Sequence, residues 1–192
     1  MNLGDLALEL ARAATVILPI LLPGVFFIVC LKRNWLKIFD HPIDFGLSLG
    51  KSRIFGENKN WRGAMIYVLG GTFLTLLLHQ LAPAQSWVAP IYMADPWLLG
   101  PICTSAYVVG ELVNSFVKRR LGIGPAQTVS GRFGKTVQNF FDNADGTIAY
   151  SIALQLLIRP SGNYLWIALL LALAIHASTD VLMRKLRLKK KN

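Results

Sequence analysis

AATVILPILLPGVFFIVCL, residues 13–31, holds no charged side chain and is long enough to cross a bilayer as one helix. A helix spanning the hydrocarbon core needs about 20 mostly apolar residues. Pro19 and Pro23 are expected to kink it, since proline removes an intrahelical hydrogen bond. Working outward, the next uncharged run goes from Ala64 to about Ala82. Trp97 to Val117 is apolar apart from Glu111 and Asn114 near its far end. Thr147 to Ile158 is short for a span unless Ala144 or Phe140 helps to start it, and Tyr164 to Met183 is interrupted by His176 and Asp180.

Composition agrees: 54% of the 192 residues are hydrophobic and 16% are charged. A soluble domain typically carries about 25% charged residues. The expected fold is therefore all-α, a polytopic membrane bundle of about five transmembrane helices forming a single domain over residues 1–192, with long loops at 32–63 and 118–146. Asp5 and Glu9 stand where a cleavable leader would be basic, so no signal peptide is expected. All but Arg12 and Arg159 of the 20 Lys and Arg fall in those two loops or in the tail after Met183. Cytoplasmic segments carry the excess of Lys and Arg, so the N-terminus is expected outside and the C-terminus cytoplasmic. That asymmetry requires an odd number of spans, which supports counting the short fourth one.

The net charge of +10 in so apolar a chain points to anionic headgroups or a phosphate-bearing substrate, and no nucleic-acid partner is expected. Cys30 and Cys103 both lie in apolar runs and read as packing residues. His41, His79 and His176 form no metal pattern, and the tryptophans cluster near span ends as an aromatic belt would. Small bundles often pair, which leaves a homodimer open.

Chemistry concentrates in the two loops. Residues 39–63 interleave Gly46, Gly50, Gly56 and Gly63 with Lys51, Arg53, Lys59 and Arg62. Glycines admit close backbone approach and cations suit phosphate, although a loop lying on anionic lipid would look the same. Glu111, Asn114, Ser115 and Lys118 recur at helical spacing and share one face. A carboxylate inside a membrane helix normally faces a bundle interior or a wet cavity, although a polar stripe can also merely join helices. Asp142 and Asp145 are three apart, so a helical turn aims both the same way. Two carboxylates on one face suit Mg²⁺, which typically takes one or two of them plus substrate phosphates. The competing reading is a solvated or helix-capping pair. Asp180 can join this cluster or pair with Lys118 or Arg184.

HPIDFG at 41–46, GKSRIFGENKNWRG at 50–63, ELVNSFVKRRLGI at 111–123 and FFDNADG at 140–146, in that order, resemble the CDP-archaeol synthase family. That family lies within the wider CTP-dependent phosphatidate cytidylyltransferase superfamily. The superfamily's serine, Lys-Arg pair and two aspartates fall on Ser115, Lys118, Arg119, Asp142 and Asp145. The resemblance implies transfer of CMP from CTP to a membrane lipid phosphate, with release of pyrophosphate. It also implies Mg²⁺ on Asp142 and Asp145, with Lys118, Arg119, Lys59 and Arg62 stabilising phosphates. Asp44 would add a metal or ribose contact, Glu111 would position a cation or Lys118, and Asn58, Asn114 and Ser115 would contact substrate. The chain departs from the family at Asn60, Ala126 and Asn143.

Two rival readings are a CDP-alcohol phosphotransferase and a non-catalytic scaffold or small transporter. The phosphotransferase motif begins DxxDGxxAR. Asp142 to Ala149 fits its first eight positions, but Tyr150 replaces the arginine, and its later Gly and two Asp fall on Arg159, Asn163 and Ile167. A transporter should show discontinuous spans paired between two halves, and the first span alone, with its two prolines, offers that.

Overall fold

The computed structural model describes residues 2–124, 127 and 131–185, with backbone alone at 132, 133, 135, 136, 143, 176, 177 and 179–185. Five helices dominate: α1 (Leu3–Arg33), α2 (Trp61–Leu81), α3 (Pro96–Arg120), α4 (Arg132–Ile158) and α5 (Tyr164–Lys185). Of these α1, α2 and α3 are long and apolar enough to cross a membrane, while α4 and α5 contain shorter apolar stretches, Ala144–Ile158 and Tyr164–Ile175. The principal helix contacts pair α1 with α2 and α5, α4 with α5, α3 with α4, and α2 with α3. The helices thus close into a ring around buried Val16, Ile17, Leu99, Tyr107 and Leu154.

Helix ends follow local chemistry. Asn2 and Asp5 form a reciprocal capping box that starts α1 ten residues before the uncharged run. Its 31 residues make a rod of about 46 Å, longer than the hydrocarbon core of about 30 Å. Asn60 caps α2 by accepting from the Gly63 amide, and Asp95 caps α3 ahead of Pro96. Helix α1 runs through both prolines. Pro19 has no N–H to give the carbonyl of Thr15, and Tyr92 supplies the missing donor, its hydroxyl lying 2.9 Å from that oxygen. Tyr92 comes from the 3-10 turn Pro90–Met93 between α2 and α3, where it and Ile91 are buried.

Close crossings use glycine. A Cβ on Gly71 of α2 would lie 2.4 Å from Thr104 of α3 and 2.6 Å from the Pro19 carbonyl of α1. A Cβ on Gly110 of α3 would lie 2.6 Å from the Asp145 carbonyl and 2.7 Å from Ala149, both in α4. Small residues of this kind let helix backbones approach without a hydrophobic driving force.

The expected loop at 118–146 is largely helix. Helix α3 continues through Arg120 and α4 starts at Arg132, so Asp142 and Asp145 sit well inside a helix rather than capping one. No proline interrupts 132–158, and packing on α3 outweighs the cost of an interior glycine, about 1 kcal/mol. The segment 34–60 is a true loop, bearing a 3-10 turn (Lys37–Phe39) and a small antiparallel hairpin of β1 (Ser48–Leu49) and β2 (Ser52–Arg53). That hairpin, with an isolated antiparallel bridge between Pro42 and Asn60, is the departure from an all-α fold among the described residues.

Candidate functional site

Three elements meet where α3 crosses α4. Asn114 extends one amide nitrogen to Asp142 Oδ1 at 2.9 Å and to Asp145 Oδ2 at 2.8 Å. Lys118, one turn further along α3, donates to the same Asp142 oxygen at 2.6 Å. From the loop, Lys59 pairs with Glu111 of α3. Burial works against the Lys59 ammonium, but the Glu111 carboxylate outweighs it and holds Lys59 charged, above the ordinary lysine range. Lys59, Glu111, Asn114, Lys118, Asp142 and Asp145 therefore form one cluster, with the stacked rings of Tyr67 and Tyr107 in the adjoining interior at 4.7 Å between centroids. Gly146 lies against the Tyr107 ring, where a Cβ would come within 2.7 Å. The site is thus set by the tight α3–α4 crossing.

The donor set fits a hard divalent cation. Two carboxylates converge on one point where an amide hydrogen and an ammonium now supply the positive charge. Among the described residues no group of three or more His, Cys, Asp or Glu side chains is placed to hold a metal. Two carboxylates with substrate phosphates and water completing the shell is the arrangement Mg²⁺ favours.

Other sequence candidates lie elsewhere. Asp44 is 3% exposed and organises the loop. Its carboxylate accepts from the amides of Gly46 at 3.0 Å, Phe55 at 3.1 Å and Gly56 at 3.0 Å, and pairs with Arg53. Burial alone would raise its pKa, but the Arg53 hydrogen bond and the three amides overcome that and hold the carboxyl well below the usual range. A depressed folded value means the stabilisation is complete above the unfolded pKa of about 3.9 and is lost as pH falls further. Amide exchange of residues 44–56, corrected for intrinsic rate, should show constant protection from pH 8 to 5 and decline below about pH 4. Asp44→Asn should lose about 2 kcal/mol of that protection at neutral pH.

Arg62 is buried and pairs with Asp40 at 3.1 Å, facing the end of α1, where it also meets the Trp35 carbonyl at 3.4 Å. Ser115 is buried within α3, and Asn58 is exposed. Arg119 donates to the Phe55 carbonyl at 3.2 Å and to the Ile123 carbonyl. Gly56 has φ +101°, and a Cβ there would lie 2.9 Å from Arg119 Nε, so glycine alone lets the loop reach this arginine. Asp180 and Arg132 have no described side chains, and Ala126 lies outside the described residues.

Sequence reasoning gave no role to Arg120. Its guanidinium donates to the carbonyls of Ser52 at 3.0 Å and Arg53 at 2.9 Å, and to that of Leu49. With Arg119 it fastens the hairpin to the last turn of α3, the turn that also carries Lys118. Arg120→Ala should speed amide exchange of residues 48–56 on the order of tenfold while leaving the helices unchanged. Unchanged exchange would show the clamp to be dispensable. A helix ending in consecutive arginines is the signal that pointed here, since cations at a C-terminus readily find carbonyls.

A family model described as CarS-like, CDP-archaeol synthase, matches residues 17–192. A CDP-archaeol synthase of Pyrobaculum calidifontis is 34% identical over 151 residues, covering 78% of this chain and 80% of that protein. One from Pyrococcus furiosus is 29% identical over 153 residues, covering 77% and 81%. One from Halobacterium salinarum is 36% identical over 83 residues, and the matched stretch spans 42% of this chain and 45% of the relative's length. A solved structure, described as an intramembrane enzyme for archaeal membrane lipids biosynthesis, superposes with a TM-score of 0.60 at 17% identity, covering 90% of this chain and 94% of its own. At that identity the likeness concerns the fold.

Proposed function

This chain belongs to the CDP-archaeol synthase family and is a multi-pass membrane protein, and from that premise we propose that it transfers CMP from CTP to a lipid phosphate. The observation that carries the reading is the convergence of Asp142 and Asp145 on one point beside Lys118.

In this reading a lipid phosphate oxygen attacks the α-phosphorus of CTP. A new phosphorus–oxygen bond forms, the bond to the β-phosphate breaks, and pyrophosphate leaves. The attacking phosphate is already anionic at neutral pH, so no strong general base is needed. Asp142 and Asp145 would hold Mg²⁺, which supplies neutralisation of phosphate charge. Lys118 and Lys59 add fixed positive charge on the two sides of the cluster; Glu111 keeps Lys59 aimed, Asp142 holds Lys118, and Asn114 ties the two aspartates together. Most of the rate acceleration then comes from positioning and charge neutralisation. Asp44, Arg53, Arg119 and Arg120 act on the loop that delivers Lys59.

The finer topology belongs to the same proposal. Five spans with the N-terminus outside put the α3–α4 crossing near the inner face, where cytosolic CTP and a leaflet lipid can both reach it. Ether-linked isoprenoid phosphate is the favoured acceptor because the curated relatives are CDP-archaeol synthases.

The test is direct. Purified protein with radiolabelled CTP, Mg²⁺ and a panel of isoprenoid-ether and fatty-acyl phosphates should give labelled CDP-lipid, fastest with the ether lipid. Label transfer from a CDP-lipid to an alcohol, with none from CTP, would favour the phosphotransferase instead. Tyr150, which stands at that motif's arginine, is buried with its hydroxyl 3.3 Å from the Val16 carbonyl.

A further inference from the structure

A groove of about 600 Å³ opens between loop 34–60 and the start of α2, and none of the acid cluster lines it. Its walls are apolar, from Phe39, Pro42, Phe45, Trp61 and Met65, with Ile38 at the rim and Arg53 alongside. Ile38 is 76% and Phe45 73% exposed, while the Phe45 ring leans on Trp61 with centroids 6.3 Å apart. Phe45 also adopts φ +48°, a region a bulky side chain seldom enters. The loop accepts that strain to hold an aromatic ring outward at the mouth. Such a surface in water would be a liability, but it lies between the end of α1 and the start of α2, which on the proposed topology is where these helices leave the bilayer.

The charges there are mostly positive, since Asp40 is paired with Arg62 and Asp44 with Arg53. Lys32 and Arg33 end α1 and Lys37 sits in the 3-10 turn beside Ile38. Arg53 gives one nitrogen to Asp44, while its Nε is buried with no hydrogen-bond partner among the described residues. An apolar trough with an under-used guanidinium at its side matches a hydrocarbon chain ending in phosphate.

We propose that this groove binds one membrane lipid, its chain along Phe45, Trp61 and Met65 and its anionic phosphate headgroup beside Arg53. The site is separate from the acid cluster and does not depend on what reaction that cluster performs.

The experiment uses a full-length variant retaining Trp61 alone, with Trp35, Trp87, Trp97 and Trp166 changed to Phe, in nanodiscs doped with brominated-chain lipid. A phosphomonoester lipid should quench Trp61 fluorescence several-fold more than a phosphocholine lipid at the same mole fraction. Ile38→Asp and Phe45→Asp, added at exposed rim positions, should abolish that preference. A matching variant retaining Trp166 alone, on the exposed face of α5, should show none. Equal quenching of Trp61 by both lipids would reduce the groove to ordinary bilayer exposure and overturn the proposal, as would a preference that survives both rim changes. Should the Trp61 variant not fold, native mass spectrometry of the unaltered chain gives the same decision. Phe45→Asp should retain one phosphomonoester lipid fewer than the unaltered chain, and an unchanged number bound rejects the groove.

Discussion

Asp142→Asn and Asp145→Asn should each lower CDP-lipid formation about a thousandfold, the scale on which loss of a charge-stabilising group acts in a dry site. The substitution keeps size and shape, so the α3–α4 crossing, built from Gly110 and the Asp145 backbone, is untouched. What changes is the charge at the point where both carboxylates meet the Asn114 amide. Lys118 loses its partner in Asp142→Asn, a pair whose side chains are 20% and 26% exposed and whose loss costs on the order of 1 kcal/mol. Thermal unfolding should therefore move by a few degrees at most while turnover collapses, and raising Mg²⁺ should not restore it. A normal rate in either variant would dismiss the metal assignment, and a large fall in unfolding temperature would turn the effect into one of folding.

The second large effect concerns a residue with no side chain. Gly110→Val should reduce turnover about a hundredfold and cost roughly 1–3 kcal/mol of stability. Even the first added carbon would meet the Asp145 carbonyl at 2.6 Å and Ala149 at 2.7 Å. Backbone atoms of a helix cannot swing aside, so α4 must move away from α3 and take Asp145 with it. Displacement on the order of 1 Å is enough for losses of that size. Val109→Ala, on the exposed side of the same turn, should leave rate and stability near the starting values, separating crowding from a general intolerance of change in α3. Undiminished turnover in Gly110→Val would show that the crossing does not set the carboxylate geometry.

Much of this was legible in the chain itself. Largely apolar runs marked all five helices, two of them carrying a single acid, because a hydrocarbon environment leaves few alternatives for backbone polar groups. The spacing of Asn114, Lys118, Asp142 and Asp145 predicted shared faces, and the structure brings all four together. Ends were harder. Helix α1 begins at Leu3 because Asn2 and Asp5 cap it, a signal that hydropathy does not register. The start of α4 was hidden by polar residues that look like loop, although the backbone is helical from Arg132. Lys59 and Glu111 are 52 residues apart, and only folding reveals their pairing. Asp44 was expected at a metal or ribose and Arg119 at a phosphate, while Arg120 carried no expectation, and the hydrogen bonds of all three run largely to the main chain. Main-chain acceptors leave no trace in residue identity, so the consecutive arginines ending α3 signal a clamp without saying which carbonyls it holds.

The bond from Tyr92 to the Thr15 carbonyl spans 77 positions and has a consequence for biogenesis. As the nascent chain leaves the ribosome, the proline-bearing first helix must enter lipid with that oxygen bare, long before its donor has been translated. Early insertion is then an uphill intermediate that favours a sheltered exit from the translocon, and the late arrival of one phenol commits the helix to its place.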